Sequence, residues 1–177
     1  MLTSPQGAFI SSQLPRTIPW LTEQAIAFLD TYLSSTPNPR VLEFGCGGST
    51  VWLQSRVEQL VSVEHNPEWH TKVSVVVGDN VDLRLAGRPY HGICDGLPAE
   101  HFDLVLVDGR DRVRCAQSAI HVLKPGWVLM LDNAERAGYQ PVFRLAAGWP
   151  RTDTVQEGPD SLGFHYPNWQ TTWWVKP

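Results

Sequence analysis

Charge, cysteine and long apolar runs are all scarce in this sequence, and each shortage removes a class of function. Only 18% of the 177 residues are charged, and 14 Lys and Arg against 18 Asp and Glu leave a net charge of −4. So mild an acidity offers no footprint for a phosphate backbone or an anionic membrane, and only Arg110, Arg112 and Arg114 cluster. Neither nucleic acid nor membrane is therefore expected as a partner. The cysteines, Cys46, Cys94 and Cys115, are odd in number and lack metal-type pairing, which predicts reduced thiols in a cytoplasmic protein rather than a disulfide frame. No run of about 18 apolar residues and no charged-then-apolar leader is present, so neither spanning nor secretion is expected. There is no internal repeat. At this length one domain, residues 20–177, can bury its own core, preceded by an irregular arm, 1–19, in which Ser, Gln, Gly and Pro show no sustained periodicity.

What is present is organised around Val41-Leu42-Glu43-Phe44-Gly45-Cys46-Gly47-Gly48-Ser49-Thr50. Arg40 to Phe44 has the apolar content of a buried strand, and Gly45, Gly47 and Gly48 allow a tight turn that a Cβ would obstruct. Ser49 or Thr50 is expected to cap a helix over Val51 to Ser55, whose free N–H groups point into the turn. Such a turn serves a nucleoside cofactor. A dinucleotide fingerprint would place its third glycine at Thr50, and Glu43 would set a carboxylate where a pyrophosphate must lie; a cationic sulfonium ligand tolerates that carboxylate.

The remainder alternates strand and helix. Leu21, Ala25, Phe28, Leu29 and Tyr32 repeat at helical spacing from Trp20 to Leu33, with Pro37 and Pro39 beyond. Gln59 to Val63 reads as the second strand, ending at Glu64, placed where an acid accepts hydrogen bonds from ribose hydroxyls; His65 either flanks an adenosine or caps the strand. Asn66-Pro67-Glu68 starts a helix. Either Val81 to Leu85 or Val73 to Val77 is the third strand; we take the former, which puts Asp79 in the preceding turn, whereas the latter would make Asp79 an adenine contact. A short helix is expected around Tyr90 to Cys94. Phe102 to Val107 is a continuous apolar run, as in a parallel strand covered on both faces, with Asp108 at its carboxyl end. A helix over Ala116 to Leu123, a turn at Lys124-Pro125-Gly126, a strand Trp127 to Leu131 ending at Asp132-Asn133, and a helix Tyr139 to Ala147 follow. Two strands near Arg151 to Gln156 and Thr171 to Lys176 close the chain as a hairpin, joined by an aromatic loop that includes Phe164, His165, Tyr166 and Trp169, a wall for substrate. The fold class is α/β: a Rossmann-like parallel sheet with a terminal antiparallel hairpin and helices on both faces. In such a sheet Glu43, Glu64, Asp108 and Asp132 converge on one edge.

Glu43 to Thr50 resembles motif I of the class I S-adenosylmethionine-dependent methyltransferases. The likeness extends through Val61 to His65, Phe102 to Gly109 and Leu123 to Trp127. It implies S-adenosylmethionine as cofactor, with Glu43, Gly45, Gly47, Ser49, Thr50, Glu64, His65 and Asp108 about it. The segment before motif I lies over the cofactor in those enzymes, which makes Trp20 and Thr22 contacts; the alternative is a Trp that anchors its helix. Asp108 with Asp132-Asn133 resembles the Asp…Asp-Asn metal set of the cation-dependent O-methyltransferases, hard oxygen ligands suited to Mg²⁺. Against it, Asp111 stands where that family carries a lysine, and Asp132-Asn133 also reads as a turn that bonds its own backbone. With that lysine absent, Arg110, Arg112 or His165 remain to approach the acceptor, and Asp108 and His165 are the catalytic candidates. The reading implied is methyl transfer to a small-molecule acceptor, on oxygen ahead of nitrogen, with an aromatic or flat acceptor favoured by the loop. An NAD-binding oxidoreductase domain and a non-catalytic cofactor-binding partner are the alternatives. Oligomeric state is not readable.

Overall fold

The structure is a computed structural model that describes residues 16–177; of the arm expected over 1–19, residues 1–15 lie outside the described residues. Five parallel strands carry the apolar segments: β1 (Arg40–Phe44), β2 (Gln59–Glu64), β3 (Val81–Leu85), β4 (Phe102–Val107) and β5 (Leu123–Asp132). The hairpin β6 (Arg151–Val155) and β7 (Gln170–Val175) adds to β5 antiparallel, giving the order β3-β2-β1-β4-β5-β7-β6. Every residue of β4 is buried because it lies mid-sheet with helices on both faces. Chain order reverses between β1 and β4, where Val41 pairs with Leu104 and Phe44 with Val107, so a crevice opens beyond their carboxyl ends.

Alternate residues of these strands feed two cores. On one face, α1 (Glu23–Ser35) contributes Ala25, Leu29 and Leu33, and α2 (Gly48–Leu53) contributes Leu53, to a cluster with Val41, Leu104, Leu106, Val128 and Met130. α3 (Pro67–Ser74) starts on its Asn66 cap, whose side chain accepts from the N–H groups of Glu68 and Trp69, as its sequence predicts. On the other face, Leu42, Phe44, Val105, Val107 and Leu131 pack with α4 (Arg112–Ala119), α5 (Gln140–Leu145) and a 3₁₀ turn over Tyr90–Gly96.

The third strand falls at Val81–Leu85, a half-exposed edge, with Asp79 exposed in the turn before it. Three helix boundaries differ from expectation. α1 begins at Glu23, not Trp20: the Thr22 hydroxyl caps it by accepting from Ala25 N, so Trp20 stays outside, 49% exposed. α2 begins at Gly48 with Gly47 as the cap residue, so neither Ser49 nor Thr50 stands at the cap position; the Thr50 hydroxyl accepts from Gly47 N–H in the first turn, and both hydroxyls donate to Glu43. α4 starts at Arg112 rather than Ala116, because Asp111 in a left-handed conformation (φ 51°) turns the chain directly from the loop after β4 into the helix. The helix consequently ends by Ala119, and Leu123 already pairs with Phe102; Lys124-Pro125-Gly126 is an irregularity inside β5, where the register shifts.

Candidate functional site

Gly45 ends β1 at φ 98°, and a Cβ there would lie 2.8 Å from Gly109 Cα, so the turns after β1 and β4 touch backbone to backbone at the switch point. Above this contact opens a cavity of about 560 Å³, within the range of ligand sites. Gly45, Gly47, Ser49, Glu64, His65 and Asp108 line it, as do Trp20, Asp132 and Asn133. Glu64 is 4% exposed at the end of β2; its Oε1 accepts from His65 N (2.9 Å) and Asn66 N (2.8 Å) and its Oε2 from Cys46 N (3.2 Å). Those three N–H groups fix the carboxylate, and Oε2 is the oxygen with capacity for another donor. His65 Nδ1 lies 2.9 Å from Glu64 Oε1, and its ring is tilted 5.9 Å from that of Tyr90. The imidazole therefore stands in the wall rather than merely capping the strand.

Four expected site residues do not reach the cavity. Glu43 is fully buried, and its carboxylate accepts from the hydroxyls of Ser49, Thr50 (2.6 Å) and Ser62 instead of facing the turn. Residues 41 and 43 share the sheet face that packs on α1 and α2, which is why the side chain points inward. Burial pushes the Glu43 carboxyl up to about 7 against the pull of those three hydroxyls. The carboxylate thus bolts α2 to the sheet, and the expected repulsion of a pyrophosphate by it does not operate. Thr50 is fully buried too, donating to Glu43 and accepting from Gly47 N at 2.8 Å. Thr22 is spent as the α1 cap and on the Thr154 hydroxyl at 2.6 Å. His165 is exposed and outside the cavity wall, whereas its neighbours Phe164 and Tyr166 line it.

Asp108 and Asp132 do meet, but around a side chain. The Arg112 guanidinium lies 2.9 Å from Asp108 Oδ1 and donates to the main-chain oxygens of Gly109 (2.8 Å), Asp108 (2.8 Å) and Asp132. Asp132 Oδ1 accepts from Trp169 Nε1 (3.0 Å) and the Thr171 hydroxyl (2.8 Å), while its Oδ2 is 3.9 Å from Arg112. Burial raises the carboxyls of both acids, and Arg112 opposes it. Asn133, at φ 49°, completes the turn beside them. A divalent cation does not fit these residues: a permanent cation, 6% exposed, already joins the two acids, and Asp132 is committed to Trp169 and Thr171. Among the described residues no cluster of three His, Cys, Asp or Glu suits a metal ion.

The cover was expected in part, through Trp20 and the aromatic loop, but not its closure by Arg16 to Ile18 or by Trp69. Residues 16–18 cross the glycine turn so closely that a Cβ on Gly48 would meet the carbonyl oxygens of Arg16 (2.6 Å) and Ile18 (2.7 Å). The Arg16 guanidinium donates to Asp160 and to Pro19 O (2.9 Å), the ion pair being buried, and Trp20 stacks on Phe164 with centroids 5.4 Å apart. Trp69 closes another side, its indole N–H donating to Cys46 O and its ring 3.5 Å from a Cβ on Gly47. The aromatic content of the 157–169 loop and the segment before motif I with Trp20 hinted at this; a lone Arg in an irregular arm gives no signal.

No protein-family model matches the sequence, and no curated protein matches it. Solved structures do. A precorrin 8W decarboxylase from Methanobacterium thermoautotrophicum superposes with a TM-score of 0.66 at 18% identity, over 94% of this chain and 98% of the other. A tRNA (m1A58) methyltransferase from Aquifex aeolicus gives 0.68 at 13% identity, over 97% and 76%. A SAM-dependent O-methyltransferase from Thermotoga maritima gives 0.64 at 12% identity, over 100% and 73%. One architecture thus spans these differently named enzymes, and the chemistry must be read from the site. What the likenesses establish is that this chain has the fold of the S-adenosylmethionine-dependent methyltransferases.

Proposed function

We propose that this protein is a methyltransferase that moves the methyl of S-adenosylmethionine to a small acceptor, on oxygen ahead of nitrogen. The observation that carries the reading is Glu64: a carboxylate held by three backbone N–H groups at the end of β2, on the wall of a cavity floored by the Gly45–Gly48 turn. Such an acid accepts from ribose hydroxyls. His65 stands beside it for the adenosine. A dinucleotide is disfavoured by the carbonyl oxygens of Arg16 and Ile18 against Gly48, since acceptors there repel a pyrophosphate.

S-adenosylmethionine, when bound, supplies an electrophilic methyl group. The Gly45–Gly48 turn, Glu64 and His65 would hold that cofactor, whose methyl would pass to the acceptor oxygen while sulfur would keep the electron pair of the broken S–C bond. Asp108, side chain 18% exposed on the cavity wall, is the group placed to receive the acceptor's proton, its carboxyl raised by burial while Arg112 fixes its orientation. The cavity walls hold the acceptor in line, and positioning of this kind supplies roughly 7–11 kcal/mol of a barrier.

Calorimetric titration with S-adenosylhomocysteine and with NAD, followed by mass detection of methylated product over phenols, carboxylates and amines, tests the proposal. Uptake of S-adenosylhomocysteine together with an Asp108→Asn variant that binds it normally but turns over slowly is expected. Uptake of NAD alone would overturn the reading.

A further inference from the structure

The cavity is not neutral where an acceptor must lie. Its three carboxylates are already answered: Glu64 by backbone N–H groups, Asp108 by Arg112, and Asp132 by Trp169, Thr171 and Arg112. Arg16 is likewise spent on Asp160. Two lining cations are left. Arg110 is exposed and has no ion-pair partner among the described residues, and residues 1–15 contain no acid that could supply one. Its main chain is nonetheless fixed, the carbonyl accepting from the Tyr90 hydroxyl and, at 3.4 Å, the Cys115 thiol. Arg136 has one ion-pair partner among the described residues, its neighbour Glu135 at 3.7 Å; it also acts electrostatically on Asp108, and its guanidinium lies 5.8 Å from the Tyr166 ring centroid.

Both arginines follow the carboxyl ends of β4 and β5, whereas Glu64 and His65 follow β2, so the two cations belong to the half of the crevice away from the ribose site. That half also presents partly exposed aromatic side chains, Trp20 (49% exposed), Phe164 (38%) and Tyr166 (40%), all on the cavity wall, with Trp20 and Phe164 stacked on each other. Partly exposed rings beside one unpaired guanidinium, Arg110, and one only loosely paired, Arg136, suit a ligand that is flat and negatively charged.

Resting on the methyltransferase reading, we propose that the acceptor is a planar aromatic small molecule bearing an anionic oxygen group, carboxylate or phosphate, with its ring against Trp20, Phe164 and Tyr166 and its anion held by Arg110 and Arg136. Neutral analogues bind the same aromatic wall but forfeit the charge-assisted hydrogen bonds, a loss of roughly ten- to a hundredfold in affinity.

The test titrates benzoate, phenyl phosphate and benzamide into the full chain saturated with S-adenosylhomocysteine, at low and high salt. At least one anion is expected to bind tenfold or more tightly than benzamide, with the advantage shrinking in salt; which anion wins identifies the group. Arg110→Gln is expected to lower that advantage without altering the melting temperature, the Arg110→Gln/Arg136→Gln double variant to remove it in a chain that still unfolds cooperatively, and Arg151→Gln on β6 to leave it intact. Benzamide binding as tightly as both anions, no binding by any of the three, or an anion advantage that survives the Arg110→Gln/Arg136→Gln double variant would overturn the proposal. If S-adenosylhomocysteine itself fails to bind, the methyltransferase reading falls, and the same comparison on the chain alone still decides whether the site prefers anions.

Discussion

Arg112 lies 2.9 Å from Asp108 and, through the main-chain oxygen of Asp132, joins the ends of β4 and β5 at the point where the sequence suggested Mg²⁺. A guanidinium there cannot be exchanged or chelated. We therefore expect EDTA and added Mg²⁺ to leave both turnover and melting temperature unchanged. Arg112→Met would strand two acids, one buried and one partly so, and cost about 3–5 kcal/mol of stability by denaturant unfolding.

Removing the carboxylate of Glu64 should cost more than one ligand contact, since it also holds the N–H groups of Cys46, His65 and Asn66. Glu64→Ala is expected to weaken S-adenosylhomocysteine binding roughly ten- to a hundredfold. Titration calorimetry on a variant confirmed as folded measures it; an unchanged affinity would show that the ribose is held elsewhere.

Glu43 gives stability a pH dependence of known sign. Its carboxyl rises from 4.5 to about 7 on folding, so the native state binds the proton more tightly than the unfolded chain. The associated stabilisation is fully present below about pH 4.5 and is lost as pH rises through about 7, amounting to roughly 3 kcal/mol. Urea unfolding between pH 5 and 8 should show this slope in the native protein. Glu43→Gln should reduce it, leaving the part that the raised carboxyls of Asp108 and Asp132 contribute, and two parallel curves would refute the assignment.

The ion pair between Arg16 and Asp160 clasps the two segments that cover the cavity. Asp160 also accepts from Leu162 N (2.9 Å) and Phe164 N (2.8 Å), so it shapes the loop that carries Phe164. Arg16→Met is expected to speed dissociation of S-adenosylhomocysteine several-fold in stopped-flow fluorescence, with Trp20 and Trp69 in the cavity wall as reporters.

Much of the fold follows from local pattern. A strand such as Phe102–Val107, apolar throughout, admits one environment, and the Gly45–Gly48 turn with Glu64 at the end of the next strand marks the floor and one wall of the site. The third strand is legible at Val81–Leu85 because α3 needs the length between Asn66 and Ser74. Helix starts mislead because the cap position depends on where the turn ends: Gly47 takes it, and Thr50, a good cap by type, sits in the first turn, accepting from Gly47 N–H while donating to Glu43.

Sequence by itself determined the order of strands and helices, the glycine floor and the acid that ends β2, since periodicity and backbone freedom are properties of neighbouring residues. Tertiary structure alone decided which acids line the cavity, that Arg112 occupies the supposed cation position, that His165 stands outside while Tyr166 lines the wall, and that Arg16 reaches Asp160. Those outcomes depend on the direction of a side chain and on charges brought together from distant segments, and only the packed sheet fixes either.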